Sequence, residues 1–245
     1  MACPIPTVMQ GTGAINRHVN EQEKLMTIRG MLLDNDGTLV LSNDAHAKAW
    51  REALAEHGYD VAYDKLRSLL GMGGDKVLPE VAPGLTDTEG VDKDITARRK
   101  EIFLERYAAD LHPAPGARAL VERLQAEGLQ VVIASSAQPD ELEVLLKQAR
   151  VDDLLPERTT AQDAAASKPA PDIVAVALER IGLPAEAVLM VGDTPYDIEA
   201  AGKVGVGVIA VRCGGFSDDR LAGARAIYDD PADLVARYET SPLAR

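Results

Sequence analysis

Three apolar runs, LQVVIA (129–134), AVLMVG (187–192) and VGVIAV (206–211), leave this chain little choice of architecture. Each is continuously apolar rather than alternating, as expected of strands covered on both faces. Helical patterns separate them. GARALVERLQAEG is amphipathic with a glycine stop, Pro139 to Gln148 carries helical spacing, and Ile173, Val174, Ala177, Leu178 and Ile181 line one face of a segment from Pro171. Tyr196 to Lys203 makes a fourth helix. Alternating strand and helix implies a parallel sheet between two helical layers. A further strand, TIRGMLL (27–33), comes much earlier, and between the two regions the pattern changes.

Residues 43–112 contain no convincing strand. Asn43 to Gly58 is helical with Ala49, Trp50, Ala53 and Leu54 on one face, and Asp64 to Leu70 and Ile95 to Ala109 are helical too. GMGGDK and PGLTDTEG read as loops, and PAPG (113–116) as a boundary. The chain's 245 residues amount to about 1.6 domains of ordinary size. The expected organisation is an α/β core of 27–42 plus 113–245, interrupted after its first strand by an α-helical insertion over 43–112. Residues 1–25 show neither period and read as a disordered tail or a start assigned too far upstream, since Glu21 to Lys24 would be encoded by purine-rich codons just before Leu25 and Met26.

Charge narrows the partners. The chain has 26 Lys and Arg against 39 Asp and Glu, net −13, so no nucleic acid backbone or anionic membrane is expected as a ligand. Two cysteines, Cys3 and Cys213, are too few for a disulfide framework, and no apolar stretch reaches the roughly 20 residues of a membrane span. A cytoplasmic protein, monomer or homodimer, is expected.

In open parallel sheets, ligands bind beyond the carboxyl ends of the strands. The first strand runs into Asp34-Asn35-Asp36-Gly37-Thr38, the second into Ser135-Ser136, and AVLMVG into Asp193-Thr194-Pro195-Tyr196-Asp197. Lys168, before Pro169, adds a cation. Carboxylates held together stay ionised only when a cation joins them, and oxygen donors without His or Cys suit magnesium. Asp34 and Asp36 fall on one side of an extended segment, one able to attack a phosphoryl group and the other to handle the proton.

The four segments LLDNDGTL, VVIASS, SKPAPD and VGDTPYDIEAAG, in this order and spacing, resemble the motifs of the haloacid dehalogenase superfamily, among them phosphoglycolate-phosphatase-like and β-phosphoglucomutase-like enzymes. The resemblance spans 27 to about 225 and implies a Rossmann-like three-layer core with a mobile helical cap over 43–112. It implies a magnesium-dependent phosphatase acting on a small phosphorylated metabolite. Asp34 resembles the nucleophile, and Asp36 the general acid/base whose backbone carbonyl also meets the metal. Ser135 resembles the phosphate hydrogen bonder, with Ser136 competing for that role, and Lys168 the screening lysine. Asp193 resembles a direct metal ligand and Asp197 a ligand through water or an outer support. An acid at Asp36 favours phosphate esters over organohalides, whose leaving group needs no proton. His46 sits where the mutases carry a cap-hinge histidine, and Lys76 is a candidate cap contact. Gly74, however, falls where the mutases' sugar-phosphate-binding arginine is expected, so hydrolysis ranks ahead of mutase activity. A non-catalytic phosphate-binding module ranks third.

Overall fold

The computed structural model describes residues 27–85 and 90–244, and the reading of 1–25 as a tail or misplaced start lies outside them. In chain order the elements are β1 (Gly30–Leu33), α1 (Asn43–Glu56), α2 (Tyr63–Ser68), α3 (Gly74–Val81), α4 (Gly90–Arg106), α5 (Ala117–Ala126), β2 (Gln130–Ala134), α6 (Pro139–Ala149), β3 (Arg158–Thr159), α7 (Asp172–Ile181), β4 (Val188–Gly192), α8 (Pro195–Lys203), β5 (Gly207–Val211), α9 (Asp218–Leu221), β6 (Ala226–Tyr228) and α10 (Pro231–Ala236). The strands form one sheet in the order β3-β2-β1-β4-β5-β6, all parallel.

Alternation along β1 explains the two layers. Met31 and Leu33 point into an apolar cluster shared with α5 and α6, while Leu32 points the other way, into a cluster with α7 and α8. Both sheet faces are therefore covered, which is why the strands are apolar at every position. This is a Rossmann-like α/β fold. The first cluster continues into the helices after β1, where Ala49, Trp50, Ala53 and Leu54 of α1 pack on Ile95, Ile102 and Phe103 of α4.

The segment GMGGDK departs from the loop expected of it. Gly74, Asp75 and Lys76 are the first residues of helix α3, with Gly73 before it in extended backbone. Local propensity argues against a helix there, since the segment opens on glycines and contains Pro79. Burial of Val77 and Leu78 in the helical cluster overrides it. Strands β3 and β6, two and three residues long, are too short to carry a period of their own.

Strand order reverses at β1, which pairs with β2 on one side and β4 on the other. Leu33 is level with Ile133 and Val191, so the segments after these three strands emerge side by side. A crevice at such a reversal is where ligands bind in open α/β sheets. Asp34 is fixed there by donating its backbone N–H to Val191 O at 2.9 Å, and Ser135 by donating to Thr159 O at 3.1 Å.

Candidate active site

Asp34, Asp193 and Asp197 are all buried, and one carboxylate oxygen from each lies within 4.8 Å of the others. Lys168, 1% exposed, is the cation among them, with Nζ 2.6 Å from Asp34 Oδ1 and 2.7 Å from Asp197 Oδ1. Burial alone would lower the Lys168 ammonium, but the carboxylates of Asp197 and Asp34 outweigh it and hold the lysine charged. Burial also raises Asp34 to about 7; Lys168 offsets only part of this, and Asp197 and Asp36 add to the rise. Asp193 is raised well above the ordinary carboxylate range, first by burial and then by the charges of Asp34 and Asp197. Three carboxylates with one ammonium are short of positive charge. Their donor set is all hard oxygen, without histidine or sulfur, and fits a magnesium-type cation.

Backbone geometry makes this crowding feasible. Asp197 belongs to a capping box at the start of α8: Thr194 Oγ1 accepts the Asp197 N–H at 3.1 Å, while Asp197 Oδ2 accepts the Thr194 N–H at 3.0 Å and its hydroxyl at 2.6 Å. Pro195, at the first helical position, suits the helix start. Asp193 is held by Asn43, which donates to Oδ2 at 2.7 Å, and by Thr38, which donates to Oδ1 at 3.2 Å. Gly214 passes so close that a Cβ there would lie 1.7 Å from Asp193 Oδ2. Gly37 turns the chain with φ 73°, a left-handed conformation that glycine adopts without strain.

Asp36 is set apart from the other acids. Its Oδ1 accepts from Ser42 Oγ and lies 2.8 Å from His46 Nε2. Burial pushes Asp36 up, but His46 and Ser42 outweigh burial and bring it below the ordinary value. His46 stacks on Phe103 with ring centres 3.9 Å apart, which ties Asp36 to α1 and α4.

Asp34, Asp36 and His46 line a cavity of about 220 Å³ between the strand ends and the helices of residues 43–106. Trp50, Thr96 and Arg99 also line it, together with residues 71–75 leading into α3 and the 164–167 loop. Ser135 is fully buried, with Oγ accepting the Ala137 N–H at 3.1 Å, whereas Ser136 is on the cavity lining and its hydroxyl is buried without a protein partner. Lys76 is not brought to this cavity; its side chain is 39% exposed and pairs with Asp75 at 3.3 Å.

Several residues here escape a reading of the sequence. Thr194 had a signal, since a threonine three residues before an acid at a helix start is the capping-box pattern. Asn43 and Thr38 had none. Nor did the buried pair of Arg99 on α4 and Glu141 on α6, which only the packing of two helices brings together.

The haloacid dehalogenase-like hydrolase family model matches residues 31–211. The chain is 30% identical over 215 residues to a phosphoglycolate phosphatase of Rhodospirillum rubrum, covering 84% of this chain and 89% of that protein. It is 31% identical over 189 residues to Protein SUPPRESSOR OF QUENCHING 1, chloroplastic, of Arabidopsis thaliana; the match covers 76% of this chain but only 18% of that much longer protein. A solved hydrolase from Pseudomonas syringae superposes with TM-score 0.81 at 29% identity, covering 87% of this chain and 98% of the other. Acids gathered at the sheet's reversal, a lysine between them and a match running from β1 to β5 agree: this chain belongs to the haloacid dehalogenase-like hydrolase family.

Proposed function

We propose that this protein is a cytoplasmic, magnesium-dependent phosphatase of a small phosphorylated metabolite. One observation carries the reading: the Asp34 carboxylate sits at the cavity surface, with Lys168 against one oxygen and the Asp36 carboxyl on the same cavity wall. Asp34 attacks phosphorus, the bond to the ester oxygen breaks, and Asp36 protonates the departing alkoxide. The resulting aspartyl phosphate is hydrolysed when Asp36, now ionised, takes a proton from water, whose oxygen attacks phosphorus and frees Asp34. His46 and Ser42 favour the ionised Asp36 that this second half needs. The negative charge of an arriving phosphate raises its proton affinity for the first half.

Lys168 screens the repulsion between Asp34 and the incoming phosphoryl oxygens, and Ser135 with its neighbouring backbone N–H groups orients them. Asp34, Asp193, the Asp36 carbonyl and, directly or through water, Asp197 would hold a magnesium ion, which when bound neutralises phosphoryl charge. Residues 43–112 act as a cap over the 27–42 and 113–245 core, excluding water and selecting the substrate.

Orthophosphate release from p-nitrophenyl phosphate with magnesium tests the reading. Asp34→Asn is expected to lower turnover by at least about 1,000-fold, roughly 4 kcal/mol of barrier, while keeping the far-ultraviolet circular dichroism of the parent. Near-native turnover in that variant overturns the mechanism. The His46 contact with Asp36 favours a second reading, a sugar phosphomutase. Gly74 argues against it, because its place on the cavity wall beside Trp50 and Thr96 supplies no cation for a sugar phosphate. Glucose 1-phosphate with a catalytic amount of glucose bisphosphate separates the two, giving glucose 6-phosphate from a mutase and orthophosphate from a phosphatase.

A further inference from the structure

The lining of the cavity that holds Asp34 and Asp36 also carries a cation that is already taken. Arg99 is the only lysine or arginine among the cavity-lining residues described. Its Nη1 and Nη2 both donate to the carboxylate of Glu141, with Nη2 to Oε2 at 3.3 Å. Glu141 is 1% exposed, so taking Arg99 away would strand a buried charge. Of the remaining ionisable groups on the lining, Asp34, Asp36, Asp75 and Glu141 are acids, and His46 is taken by Asp36 at 2.8 Å. Three polar atoms of residues on the same lining are buried without a protein partner: Arg99 Nε, Thr96 Oγ1 one helical turn before it, and Ser136 Oγ. They comprise one fixed N–H donor and two hydroxyls that donate or accept.

We infer that the part of the substrate beyond the phosphoryl group is a short, uncharged, hydroxyl-bearing chain, held by Thr96, Ser136 and Arg99 Nε, and that the Arg99–Glu141 pair selects against a second anionic group. This rests on the phosphatase reading and names its substrate class. A hydroxyl can donate and accept together, which suits these unpartnered atoms. A carboxylate or second phosphate there would meet Glu141 and Asp75 with no free cation to balance it, and polar sites discriminate sharply when a group is left unpaired. The cavity of about 220 Å³ is smaller than the pockets of drug-sized ligands and limits the chain to a few carbons.

Two matched pairs differ only by CH2OH against carboxylate: 2-hydroxyethyl phosphate against phosphoglycolate, and glycerol 3-phosphate against 3-phosphoglycerate. The hydroxyl member of each is expected to show kcat/KM at least about tenfold higher. Glu141→Gln, near-isosteric, releases the guanidinium and is expected to shrink that ratio at least about tenfold, mainly by lowering KM for the carboxylate member. Should Glu141→Gln not fold, Thr96→Val serves, with KM expected to rise for the hydroxyl members and to stay level for the carboxylates. Preference for the carboxylate members by the unaltered protein overturns the inference, as does an unchanged ratio in a folded Glu141→Gln or unchanged KM values in Thr96→Val. Turnover of p-nitrophenyl phosphate separates the two failures. If it proceeds while carboxylates are preferred, only the selectivity is wrong; if it is absent with magnesium, the phosphatase reading falls first.

Discussion

Asp34 and Lys168 depend on each other. The ammonium is 1% exposed and contacts two of three gathered carboxylates, so Lys168→Met leaves those acids without a protein cation. Losing one partner of a buried ion pair costs about 3–5 kcal/mol, and urea unfolding in the presence of a chelator is expected to show a loss of that size. The same crowding sets a pH dependence. Asp34 is raised to about 7 and Asp193 is raised as well, so the folded chain holds protons that the unfolded chain has released. Stability of the metal-free protein should therefore fall as pH rises from about 4 to about 7, the window set by Asp34, with Asp193 contributing in the same direction. A divalent cation favours the ionised acids, so the rise in Tm on adding magnesium is expected to be larger at pH 8 than at pH 5. Equal rises at both pH values would contradict this. The identities of these acids were legible in the sequence, because each follows an apolar strand. The orientation of Asp36 away from the other three, toward Ser42 and His46, was not, since it depends on how α1 packs.

Among the elements, α8 shows how a helix start positions chemistry. Thr194 caps the helix through the Asp197 N–H and holds Asp197 Oδ2, leaving Oδ1 to Lys168. Thr194→Ala is expected to cost about 1–2 kcal/mol in urea unfolding and to weaken magnesium binding measured by calorimetry, because Asp197 Oδ2 keeps the backbone N–H but loses the hydroxyl that holds it. A stability loss with unchanged magnesium affinity would confine Thr194 to capping. The long helices and the strands β1, β2, β4 and β5 follow from period and caps in the sequence. Helix α3 does not: Gly73, Gly74 and Pro79 mark a loop by local chemistry, and only the burial of Val77 and Leu78 makes a helix of it. β3 and β6 exist because a neighbouring strand offers unpaired backbone groups.

Across the whole molecule, the helices of 43–106 are fastened to the strand-end loops at several separated points. Asp75 accepts hydrogen bonds from Ser167 Oγ and N, Ser167 Oγ accepts the Gly73 N–H at 3.0 Å, Tyr196 donates to Ser68 O at 2.8 Å, and Arg67 donates to Gly214 O. Of the residues making these contacts, Gly73, Asp75 and Ser167 also line the cavity that Asp34 lines. Asp75→Ala removes one fastening and is expected to raise KM severalfold and to speed hydrogen exchange over 71–81, with global stability changed by less than about 1 kcal/mol. Unchanged exchange in that segment would show that the other contacts suffice. Among the described residues, no helix is long and apolar enough to cross a membrane.

The sequence by itself determined the parallel sheet, the helical insertion after its first strand and the acids at the strand ends, because strand burial and strand-end position are written in local runs of residues. Tertiary structure alone decided the strand order that sets Asp34 beside Asp193. It also decided the pairing of Lys168 with both Asp34 and Asp197, and of Arg99 with Glu141 on the cavity lining. These depend on side chains 29 to 159 positions apart meeting in a water-poor space, where burial shifts proton affinities and an unpaired charge is costly. No local pattern records such a meeting.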